Sequence, residues 1–140
     1  MIHLDTSVLI DAFSGEKLLA GRLRELLHRG ERIFLSTLVM FEWRRGPRIP
    51  EQIDAQEALF PSNEAIPFGS TEAMLAADVY RKIKRPRGRE IDIAIAACAI
   101  VHEALLWTVN PVNFEDIPHL SLLQFPESSV GAMTRKTKRR

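Results

Sequence analysis

The first ten residues, Met1 to Ile10 (MIHLDTSVLI), constrain the fold of this chain more than any other stretch. An apolar run begins at once, breaks at Asp5, Thr6 and Ser7, and then resumes, which is the pattern of a buried strand ending in a polar turn. Asp5 therefore stands at a strand's carboxyl end. In open parallel α/β sheets helices cover both faces, and ligands bind at the carboxyl ends of the strands. A simple helix cap at Asp5 or Ser7 fits the same residues, so the acids further along the chain have to separate the two readings.

Helical and extended patterns alternate from there. Ser7 is expected to cap a short helix through Phe13, broken at Ser14-Gly15. Leu19, Leu23, Leu26 and Leu27 recur at helical spacing and end at Gly30. Arg32 to Ser36 reads as a strand, and Ser36 or Thr37 caps the helix LVMFEWRR, which Gly46-Pro47 stops. A loop with a short helix over Ile53 to Phe60 follows, then a third strand at Glu64 to Phe68. Ser70 or Thr71 opens a helix with Ala73, Ala76, Ala77, Tyr80 and Ile83 on one stripe. Glu90 to Ala104 is apolar nearly all round and reads as a central buried helix. Leu105 to Asn110 is a fourth strand and Ser121 to Phe125 a fifth. Such alternation predicts an α/β layered fold with a mainly parallel sheet.

With 140 residues, 46% of them hydrophobic, the chain has the size of one domain. Cys98 is the only cysteine, so no disulfide forms within the chain, and a reducing cytoplasm is the expected setting. Within the run AIAACAI it reads as an inert core thiol. No apolar run is long enough for a membrane helix and no basic leader precedes the first strand, so neither membrane association nor export is expected. Five of the 19 Lys and Arg residues lie between Arg135 and Arg140, which leaves 14 bases against 18 acids in the rest. The expected organisation is one domain over residues 1–126 and a basic C-terminal tail, 127–140. Arg81, Lys82, Lys84, Arg85, Arg87 and Arg89 form a second basic block, which suits either phosphates or a solvated helix end.

Three acids are placed unusually. Besides Asp5, Glu42 lies among Val39, Met40, Phe41 and Trp43, where an unpaired carboxylate is costly to bury; an ion pair with Arg44 or Arg45 is the plain explanation. Asp92 stands in the first turn of the central helix, where the dipole favours an anion. A parallel α/β fold can bring such acids to one sheet edge, and clustered carboxylates are commonly neutralised by Mg²⁺ or Mn²⁺ with oxygen ligands. Such ions promote phosphodiester hydrolysis.

The segments LDTSVLIDAF (4–13), STLVMFEWRRG (36–46), EIDIAIAACAI (90–100) and LLWTVNPVNF (105–114), in that order and spacing, resemble the PIN-domain nucleases. The resemblance is strongest to the VapC-type toxins of toxin–antitoxin pairs. It implies a three-layer α/β/α fold with a five-stranded mainly parallel sheet, a Mg²⁺ or Mn²⁺ cofactor and endonuclease activity on single-stranded RNA. It further implies a cognate antitoxin that covers the site, and a homodimer. Asp5, Glu42 and Asp92 match the family's first three acids and are the expected metal ligands, Glu42 directly or through water. Thr6, Ser36 and Thr108 match positions that carry supporting hydroxyls. The family's fourth acid is absent: Asn110 and Asn113 occupy that stretch, and Asn110 is the expected catalytic substitute, ahead of Asp116. Phe41 and Trp43 are candidates for these protein contacts, with core packing the expected role of at least one of them.

Other chemistries fit poorly. A haloacid-dehalogenase-type phosphatase needs a second acid where Ser7 stands, there is no GxSxG turn, and His3, His28, His102 and His119 are too scattered for a zinc motif. The remaining alternative is a PIN-like scaffold that binds RNA or protein without cutting.

Overall fold

Strand β1 (Ile2–Leu4) is the centre of a parallel sheet of order β2-β1-β3, with β2 at Ile33–Phe34 and β3 at Leu105–Trp107. The computed structural model describes residues 1–125, so the expected basic tail lies outside the described residues. Ile2 pairs with Ile33 and Leu105, and Leu4 with Trp107. All three β1 residues are buried, as a central parallel strand requires. The expected run to Ile10 is cut short because Thr6–Phe13 is already helix α1. Asp5, not Ser7, occupies its N-cap position, and its carboxylate makes no cap hydrogen bond.

Among the described residues the sheet has three strands rather than five. The segments expected as the third and fifth strands lie against it in parallel register, but each pairs through a single residue, Ile66 with Ser36 and Leu122 with Leu106. Each contributes two backbone hydrogen bonds: Ile66 to Leu35 and Thr37 to Ile66, then Leu106 to Ser121 and Leu123 to Leu106. On the first edge Glu64 is bound in a 3-10 turn and Pro67 has no N–H to continue a ladder. On the other, β3 ends at Trp107 because the next amides are committed elsewhere: Val109 N–H donates to the Ser7 hydroxyl and Asn110 N–H to the Thr108 hydroxyl.

Among the described residues five further α-helices follow α1: α2 (Ala20–His28), α3 (Thr37–Arg45), α4 (Pro50–Leu59), α5 (Ser70–Lys82) and α6 (Glu90–Val101). Helix α4 starts three residues before the expected Ile53 because Pro50 is pre-set for the first helical position and the Gln52 side chain accepts the Ile49 N–H. Ser36 caps α3 by accepting the Val39 N–H at 3.3 Å, an interaction worth about 1 kcal/mol. In α6 every residue from Ile93 to Ala99 is buried. Its alanines let α5 and β3 pack close, and each fully buried isoleucine adds roughly 1.5–3 kcal/mol. Cys98 is buried there and its thiol is pushed up to about 12, first by burial and then by Glu72. It is the inert core thiol expected.

His3 gives the fold a pH dependence. It is fully buried; its Nδ1–H donates to the Leu4 carbonyl at 2.9 Å, and Nε2 has no partner. Burial is the main cause that lowers its pKa to about 4, with His102 adding to it. The unfolded chain takes up the proton near the ordinary 6.5, so this contribution is present above that pH and is lost as pH falls towards 4. It amounts to about 3 kcal/mol. Urea titrations at several pH values should show wild type losing this much more on acidification than His3→Gln. Parallel pH profiles for the two proteins would refute it.

Candidate active site

With Leu4 opposite Trp107 and His3 opposite Phe34, Asp5 and Thr108 lie one step beyond the first pair and Asp5 and Ser36 two steps beyond the second, so the parallel register sets Asp5, Ser36 and Thr108 in a row at the carboxyl edge of the sheet. Two of the three turn towards one another. Asp5 is 6% exposed, and its Oδ2 accepts hydrogen bonds from the Ser7 and Thr108 hydroxyls, each at 2.7 Å. Asp5 N–H also donates to the Trp107 carbonyl. The first acid is thus held in one rotamer by partners from both ends of the chain. Ser36 instead turns inward to cap α3 and lies beside Cys98, so its hydroxyl does not join this group.

Glu42, on α3, is held by the second element of the same turn: the Thr6 hydroxyl donates to its Oε1 at 2.6 Å. The Arg45 guanidinium stands 3.5 Å from Oε2, an i,i+3 pair on the helix surface. The expected ion pair therefore exists, with Arg45 and not Arg44, whose partner is Glu57 at 2.6 Å. Trp43, the next residue, is fully buried and makes no surface contact, whereas Phe41 is exposed.

Asp92 closes the group electrostatically. Its pKa is pushed up to about 6, first by burial and then by the carboxylates of Asp5 and Glu42, with Arg89 acting in the opposite direction. Asp5 and Glu42, 87 and 50 residues earlier in the sequence, therefore act on Asp92 through space. Among the described residues no three His, Cys, Asp or Glu side chains are grouped so as to hold an ion by themselves.

Beyond Thr108 the chain turns over the 3-10 segment Pro111–Asn113. Asn110 and Asn113 are exposed. Asp116, the other candidate for the missing acid, is gripped by Arg89 through two hydrogen bonds of 3.0 and 2.6 Å, and Arg89 also binds the Asn113 carbonyl. That grip holds the Asp116 carboxyl below the ordinary carboxylate range. It gives Asp116 a partner in the scaffold and ties the loop to the start of α6, three residues before Asp92. The basic block thus has a structural member in Arg89 and another in Arg81, which pairs with Asp78. Ser7, Arg45 and Arg89 were not singled out from the sequence as site residues. Ser7, two residues after Asp5, carried a local hint, and Arg45 stood in the sequence as one of two possible ion-pair partners of Glu42.

Comparison with known proteins follows the same regions. The profile of the PIN domain family matches residues 2–120. Ribonuclease VapC19 of Mycobacterium tuberculosis is 35% identical over 119 residues, 84% of this chain and 94% of the relative. Among solved structures, VapBC2 from Rickettsia felis bound to a DNA fragment from their promoter matches with a TM-score of 0.74 at 24% identity, over 90% of this chain and 100% of that one. A toxin-antitoxin complex from Klebsiella pneumoniae matches with a TM-score of 0.66 at 22% identity, over 86% and 95%. At these identities the structures speak for the fold.

Proposed function

The chain belongs to the PIN-domain family, and from that premise we propose that it is a VapC-type endoribonuclease, a toxin that hydrolyses RNA phosphodiester bonds with a divalent cation. The observation that carries this reading is the placing of Asp5, fixed at the end of β1 by Ser7 and Thr108, and Glu42, fixed by Thr6, where their carboxylates act on Asp92. The likeness to Ribonuclease VapC19 supports it.

The residues suit Mg²⁺ or Mn²⁺. The donors are all oxygen, they carry an excess of negative charge that a divalent cation would relieve, and no soft ligand is among them. Mg²⁺ characteristically binds through one or two carboxylates and completes its shell with water and substrate phosphate, so a trio enclosing the ion is not required. Asp5 and Asp92 would hold it, with Glu42 bound directly or through water. When bound, the ion supplies Lewis-acid activation of water and neutralises charge at the phosphate. Ser7 and Thr108 fix the Asp5 carboxylate, Thr6 fixes Glu42, and Arg89 holds the loop bearing Asn110 against α6. Asn110 offers an amide oxygen in place of a fourth carboxylate and adds no charge, which favours one tightly held ion over two. Fixing ligands through such partners typically contributes 10- to 100-fold in metal affinity or activity.

An antitoxin that covers the site and a homodimer belong to the same reading, supported by the likeness to toxin–antitoxin complexes. Among the described residues no helix is long and apolar enough to cross a membrane; action in the cytoplasm, on cellular RNA, is part of the proposal.

Purified protein incubated with mixed single-stranded RNA across Mg²⁺ and Mn²⁺ concentrations tests it. Cutting is expected only with metal and is expected to vanish with EDTA and in Asp5→Asn, which keeps an acceptor for the Ser7 and Thr108 hydroxyls. Cutting that survives both would overturn the reading. A folded protein that neither cuts RNA nor binds Mn²⁺ by calorimetry would be the non-cutting scaffold, which the missing fourth acid favours.

A further inference from the structure

One exposed aromatic ring stands beside the acids. Phe41 is 55% exposed and is the only aromatic among the large exposed apolar residues of the described chain. A single exposed apolar side chain means little, but this one has a neighbour with a second attachment. The Arg45 guanidinium lies 5.2 Å from the Phe41 ring centroid and, at the same time, 3.5 Å from Glu42 Oε2. The other nearby arginines are engaged by the scaffold: Arg44 by Glu57, Arg48 by the Trp43 ring and carbonyl, Arg89 by Asp116. Arg45 alone among these four is held by a site carboxylate, and its side chain is 58% exposed. Exposed i,i+3 pairs are weak, so this cation is free to exchange partners.

A polyanion approaching three carboxylates meets repulsion, and a loosely held guanidinium at their edge is the group that can offset it. Arg and aromatic rings together are how proteins hold single strands, the ring stacking on a base and the cation meeting the phosphate. One turn to either side along α3, Phe41 is flanked by exposed Thr37 and half-buried Leu38 and by exposed Arg44 and Arg45, so on its C-terminal side the ring's neighbours are cations rather than the apolar residues a protein interface would bury.

We infer that Phe41 and Arg45 form a nucleotide subsite beside the carboxylate cluster, in which Phe41 stacks on a base of single-stranded RNA and Arg45 leaves Glu42 for a phosphate of the same strand. This rests on the ribonuclease reading and deepens it. The subsite accepts bases of either class, because every base presents a π-face; it positions the strand and takes no part in the chemistry.

The test is the affinity for random-sequence single-stranded RNA by fluorescence anisotropy in EDTA, as a function of salt, with KM and kcat measured in parallel in Mg²⁺. Phe41→Ala should weaken binding and raise KM by about 10- to 100-fold, with kcat little changed and the urea midpoint unmoved. Phe41→Trp should restore both. Arg45→Ala should reduce the slope of log K against log salt by about 0.7. Unchanged RNA affinity in Phe41→Ala, with loss of the dimer in sedimentation, would overturn the subsite and make Phe41 a protein contact. Wild type that binds and cuts no RNA would overturn the ribonuclease reading and the subsite with it.

Discussion

Asp92→Asn should yield a protein that is more stable at neutral pH and does not cut RNA. Asp92 keeps its proton up to about pH 6 in the fold, where burial and the Asp5 and Glu42 carboxylates oppose its ionised form. The unfolded chain releases that proton near 3.8, so the fold gives up stability as pH rises from about 4 to about 6 and does not recover it above. The amide never ionises. Asp92 is only half-buried, so solvent screening trims the effect, and a gain on the order of 1–2 kcal/mol at pH 7.5 is expected. Urea midpoints should separate the two proteins at pH 7.5 and bring them together near pH 4. Cleavage should fall by at least about 10³-fold, since a catalytic ion supplies several kcal/mol of transition-state stabilisation. Mn²⁺ should raise the melting temperature of wild type by mass action and leave that of Asp92→Asn where it was. Equal stability at pH 7.5, or surviving cleavage, would contradict the assignment. Stability and activity would then be opposed at one carboxylate, as expected where like charges are gathered for a function.

The largest loss of stability is expected at the residue after Glu42. Trp43 is fully buried, meets the Phe13 ring edge-on at 5.9 Å and carries the Arg48 guanidinium 4.0 Å above its face. Trp43→Ala empties that space and should cost about 3–5 kcal/mol, a large part of the ~5–15 kcal/mol that holds an ordinary domain together. A drop of roughly 10–20 °C in melting temperature follows. Trp43→Phe should cost much less, because it keeps the packing of one ring and removes an indole N–H that has no partner. Calorimetric melting of both variants decides the matter; similar losses in the two would mean that the N–H and not the volume is what counts. Glu42 shares this helix with Trp43, so cleavage by Trp43→Ala should fall even below its melting point.

The helices were legible because their signal is local. The run from Ile93 to Ala99 can only be a buried helix, and the leucines of α2 repeat at helical spacing whatever surrounds them. Strands depend on their neighbours. Glu64 to Phe68 and Ser121 to Phe125 have the composition of strands, and both do lie against the sheet, but the number of rungs each makes is set by Pro67 on one side and by the early end of β3 on the other. The same division runs through the site. Asp5, Glu42 and Asp92 stood out as acids in apolar or helix-start positions. The hydroxyls did not: Ser36 and Thr108 occupy equivalent steps beyond the sheet, and only the packing turns one inward to α3 and the other to Asp5. Arg89 was legible as a charge and not as the partner of Asp116, and spacing left Arg44 and Arg45 equally able to pair with Glu42, since a guanidinium's reach exceeds what spacing along a chain can specify.

The hydrogen bond from Thr108 to Asp5 joins residues 103 positions apart. During synthesis at about 5–20 residues per second, Asp5 leaves the ribosome some 5–20 seconds before the strand that will orient it, and Asp92 also arrives late. A half-made chain therefore holds its first acid without the clasp and without the neighbours that give the site its charge. On the ribonuclease reading proposed above, the site is therefore complete only once β3 has been made and has docked beside β1.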